Sequence, residues 1–63
     1  MAQEIDDSAV ESMIRTICNR DNPAKAVEAK LEASRWLLQV DGGMATMSPE
    51  ARKKLADTLA ENS

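Results

Sequence analysis

A chain of 63 residues, 43% hydrophobic and 30% charged with a net charge of −3, has room for one domain at most. It holds no histidine and a single cysteine, Cys18, which excludes an internal disulfide and leaves a poor ligand set for a structural metal. Ten alanines beside eleven Leu, Ile and Val residues, with no Phe or Tyr, favour helix and a core thin enough that association with another chain would help stabilise it.

Taken in chain order, residues 1–7 are polar and acidic around Ile5 and are expected to fray. Ser8, followed three residues later by Glu11, fits a capping box, and Asp6 and Asp7 suit the positive end of a helix dipole. Val10, Met13, Ile14, Ile17 and Cys18 recur at spacings of three and four, which predicts a first helix over about 8–20. On that stripe Cys18 reads as a small buried hydrophobe rather than a nucleophile.

Asn22 before Pro23 fits an N-cap with proline at the first helical position. The second helix is predicted over 23–41 and stopped by Gly42-Gly43, one of which takes the left-handed conformation. Met44 and Met47 flank this break and are expected to fill gaps at the end of the bundle. Ser48-Pro49-Glu50 opens a third helix over 49–60, with Ala51, Leu55, Thr58 and Leu59 on a narrow apolar stripe. Residues 61–63 are again expected to fray. The fold class is therefore all-α: one three-helix domain spanning 1–63, which the thin core would complete as a helical homodimer.

Steps of about 100° per residue sort the apolar positions of the second helix into two groups. Ala24, Val27, Leu31 and Leu38 lie on one side, with Ser34 among them. Ala26, Ala29, Ala33, Trp36, Leu37 and Val40 lie on another. An ordinary surface helix has one apolar stripe, so two imply packing on both sides. The first helix is expected to cover one face. The narrow stripe of the third leaves the Ala29, Ala33, Trp36, Leu37 and Val40 face as the expected partner surface, with Trp36 as its anchor.

Catalytic machinery is not expected. Without His or Tyr, general bases reduce to carboxylates and lysine. The pairs Asp7–Glu11 and Glu28–Glu32 fall on polar strips where a solvated face is the simpler reading. Gly42-Gly43 lacks the lysine and hydroxyl residue that complete a phosphate loop, so neither cofactor nor small-molecule substrate is expected. No basic, apolar leader and no membrane-length apolar run are read in the chain, and one unpaired cysteine suits a reducing compartment, so the expected location is cytoplasmic.

These observations point to a small helical protein-interaction module that regulates or inhibits a larger protein by binding it. The alternative is a DNA-binding regulator of helix-turn-helix type, with Arg52, Lys53 and Lys54 opening its recognition helix. Against that stand a break longer than such turns usually have and a sequence pI of about 4.7, far from the basic footprint of a DNA-binding domain.

Overall fold

The computed structural model describes residues 2–62 and contains, in order, β1 (Gln3–Glu4), α1 (Asp7–Ile17), α2 (Pro23–Asp41), β2 (Ala45–Thr46) and α3 (Pro49–Glu61). The three expected helices are present, so the chain is a small all-α domain with one minimal sheet added. Met1 and Ser63 lie outside the described residues.

Local chemistry sets each boundary. α1 starts two residues earlier than the capping box suggests, because Asp6 and not Ser8 is the cap: its extended backbone turns the carboxylate back to accept from the Ala9 N–H at 2.8 Å. A carboxylate there also meets the positive end of the helix dipole, an advantage that a neutral serine lacks. α1 stops at Ile17, short of the expected residue 20. The Asn19 side chain accepts from the Asp21 N–H at 3.0 Å, and this Asx turn competes with continued helix. Cys18 becomes the C-cap and is exposed rather than buried.

The start of α2 follows the sequence closely. Asn22 accepts from the Lys25 N–H at 3.3 Å and Pro23 occupies the first turn. Its end is turned by Gly43 at φ 77°, a conformation that glycine adopts without a Cβ penalty. α3 is capped by Ser48, whose Oγ accepts from the Ala51 N–H at 3.1 Å.

Within the segment expected to fray ahead of α1, residues 3–5 are hydrogen-bonded to another part of the chain. β1 pairs in parallel with β2, Gln3 opposite Ala45 and Glu4 opposite Thr46. The Gln3 N–H donates to the Met44 carbonyl at 3.1 Å, and the Ile5 N–H donates to that of Thr46 at 2.9 Å. Ile5 and Ala45 are buried as a result. At the other end of the chain, Glu61 completes α3 and the Asn62 N–H bonds to the Thr58 carbonyl.

Short connections reverse the chain at each end of α2, so α1 and α3 run alongside each other and opposite to it. Their interior is Val10 and Ile17 from α1, Ala29 and Ala33 from α2, Ala51 and Leu55 from α3, and Ile5 and Ala45 from the sheet. Met13, Ile14, Trp36, Leu37, Val40, Met47 and Leu59 close around it. Met47 fills a gap as expected, whereas Met44 points outward and is 71% exposed. Among the described residues no helix is long and apolar enough to cross a membrane.

Candidate functional site

α2 is the central element, and its two apolar faces are treated very differently. Ala26, Ala29 and Ala33 are buried, Ala33 completely. Their short side chains let the backbones of α1 and α3 come close, which is how three helices share so few large residues. Trp36, Leu37 and Val40 flank these alanines, half-buried against the same core. Trp36 leaves one edge on an open groove between α1 and α2, beside Met13 and Glu32. The face assigned to a partner from sequence, Ala29, Ala33, Trp36, Leu37 and Val40, is thus the side on which the chain's own helices pack.

The opposite face lies open. Val27 is 56%, Leu31 66% and Leu38 71% exposed, and the smaller Ala24 and Ser34 between them are exposed too. The five positions repeat at intervals of three and four, so they share about 80° of the helix surface. This is the a/d spacing of a coiled-coil seam. It was visible in the sequence, where the larger Trp36 drew the expectation to the other side. Ser34 does not interrupt the stripe with an unmet polar group, because its hydroxyl donates to the Lys30 carbonyl at 3.0 Å.

Charged residues border this stripe on both flanks. Glu28 and Arg35 lie along one flank and are exposed. Lys30 and Leu37 lie along the other, both half-buried. The Lys30 ammonium reaches across to donate to the Asn62 carbonyl, which ties the end of α3 to α2. Asp41, at the foot of the stripe, accepts from Arg52.

Arg52, Lys53 and Lys54 are exposed on the first turns of α3, but two of the three face acidic neighbours. Arg52 is ion-paired with Asp41. Lys54 lines a small cleft with Asp7, Glu11 and Glu50 between α1 and α3. The interval from Gly42 to Ser48 holds β2 instead of a tight turn. Among the described residues no three Cys, Asp or Glu side chains are grouped to hold a metal ion. Asp7, Glu11, Glu28 and Glu32 are all exposed.

No family model, curated protein or solved structure matches this chain, and its functional reading rests on the surface just described.

Proposed function

We propose that this protein is a helical interaction module that regulates or inhibits by binding another protein chain, and that its working surface is the Ala24–Val27–Leu31–Ser34–Leu38 stripe of α2. One observation supports this most directly. Among the described residues, three of the four exposed large hydrophobics, Val27, Leu31 and Leu38, fall on one helical stripe. Single exposed leucines are unremarkable, whereas an aligned set marks an interaction surface. Full burial of each side chain contributes about 1.5–3 kcal/mol, enough together for a functional contact once the costs of association are met. The same reading places the protein in the cytoplasm and assigns it no catalytic residues.

The test is substitution at the centre of the stripe. Leu31→Asp is expected to abolish capture of the protein's binding partner from its host while leaving the helical circular dichroism spectrum unchanged. Undiminished capture by this variant would remove the stripe from the function.

A further inference from the structure

The interaction reading leaves open what covers the α2 stripe, and the charges along it favour one occupant. We infer that a second copy of this chain pairs with it, α2 against α2 and antiparallel, about a two-fold axis near residues 32 and 33.

The inference starts from the register. Ala24, Val27, Leu31, Ser34 and Leu38 occupy successive a and d positions, and antiparallel pairs of this kind set an a residue of one helix against a d residue of the other. One alignment pairs the four central positions: Val27 meets the partner's Leu38, and Leu31 meets the partner's Ser34, while Ala24 at the edge lies beside the partner's Asp41, a charge already paired with Arg52. Large side chains then face smaller ones at each level, as interdigitated packing requires. The Ser34 hydroxyl is already bonded within its own helix, so covering it strands no donor.

The same alignment decides the flanks. Glu28 comes beside the partner's Arg35 on one edge, and by symmetry Arg35 comes beside the partner's Glu28. On the other edge Lys30 comes beside the partner's Leu37. Both members of the repeated ion pair are exposed, and neither is committed to an ion pair of its own chain among the described residues. A parallel arrangement of the same stripe does the opposite. It puts Lys30 beside the partner's Arg35 and Asp41 opposite the partner's Asp41, two like-charge contacts that oppose association. The face is therefore self-complementary in one orientation only, the isologous pattern of a two-fold dimer.

The proposal rests on the interaction reading and names the partner of that same stripe. It is tested by sedimentation velocity from about 1 μM to about 1 mM on the wild type, Glu28→Arg, Arg35→Glu and the double swap. The wild type is expected to reach a dimer. Each single charge reversal creates two like-charge contacts and weakens the dimer about tenfold, and the double swap restores it. Mixed in equal amounts, the two single variants form a heterodimer tighter than either forms alone, because one chain then carries two arginines and the other two glutamates along the seam. Circular dichroism of each variant confirms that the fold is retained.

A wild-type chain that stays monomeric throughout the range overturns the self-pairing. So does a dimer indifferent to both reversals, or one whose single variants gain nothing on mixing. If self-pairing fails while Leu31→Asp still abolishes capture of a different protein, the interaction reading stands with that protein as occupant. If both fail, both fall.

Discussion

The Ser48 hydroxyl donates to the Asp7 carboxylate at 2.9 Å across 41 positions of sequence. This bond joins the first turns of α1 and α3 side by side, and the same Ser48 oxygen accepts from the Ala51 N–H. One hydroxyl therefore caps α3 and locates α1 beside it.

Replacement of Ser48 by alanine removes both roles. Loss of an N-cap costs about 0.5–2 kcal/mol, and the bond to a charged acceptor adds to it. Asp7→Ala removes only the second role. Urea denaturation followed by circular dichroism is expected to rank Ser48→Ala as clearly more destabilising; equal effects would show that the cap contributes nothing.

Leu55 and Val10 are the two largest side chains with almost no exposed surface. Leu55→Ala should cost about 2–5 kcal/mol, comparable with the whole stability of roughly 3–5 kcal/mol that a core of this size supplies. The variant is expected to lose its cooperative thermal transition at 25 °C and above. A transition lowered by only a few degrees would mean that the core tolerates the cavity.

Substitutions on opposite sides of α2 should diverge. Ala33 has no exposed surface, so Ala33→Leu overpacks the meeting of three helices and costs about 1–3 kcal/mol or more. Leu38→Gln, at a position 71% exposed, should change the stability of the isolated subunit by less than about 0.5 kcal/mol. Chemical denaturation at low micromolar protein is the measurement, and the reverse ranking would invert the assignment of the two faces.

Gly43 sits at φ 77° with nothing within 4 Å of where a Cβ would be. Any loss on Gly43→Ala is therefore conformational and not steric, about 1 kcal/mol. Gly42 has negative φ but would bring a Cβ to 3.3 Å from the Leu38 carbonyl. Thermal melts of Gly43→Ala and Gly43→Asn test this: asparagine tolerates the left-handed region and should recover part of the loss.

Cys18 gives a direct check on the end of α1. Because it is an exposed cap, a thiol reagent should modify it to completion in the folded protein, at the rate seen in urea to within about tenfold. Slow modification limited by unfolding would place it back in the core, as the helical spacing of the sequence suggests.

Much of the fold was legible because short-range chemistry wrote it. Asn22-Pro23 and Ser48-Pro49 each combine a side-chain acceptor with a residue preset for helix, and both helices begin where those signals stand. The start of α1 was less clear because Asp6 and Ser8 compete as caps, and the choice depends on the charge of the first. The β1–β2 pairing was not legible. Two-residue strands carry no periodicity, and their partners are set by how α1, α2 and α3 dock. How α2 divides its two faces was hard to read for a related reason. Trp36 has the stronger reputation as an anchor, but Ala26, Ala29 and Ala33 beside it make the closer seat for neighbouring helices, and close seating decided which side became interior.

The clasp between Gln3–Glu4 and Ala45–Thr46 also bears on the order in which the molecule assembles. Contacts of α1 with α2, and of α2 with α3, close short loops, whereas the clasp requires about forty intervening residues to be gathered first, at a larger entropic cost. Because β2 precedes α3, the clasp needs α1 and α2 docked first, and it is held by few backbone bonds. The clasp thus acts as a latch between the start of α1 and the end of α2, closing a long stretch of chain with few bonds.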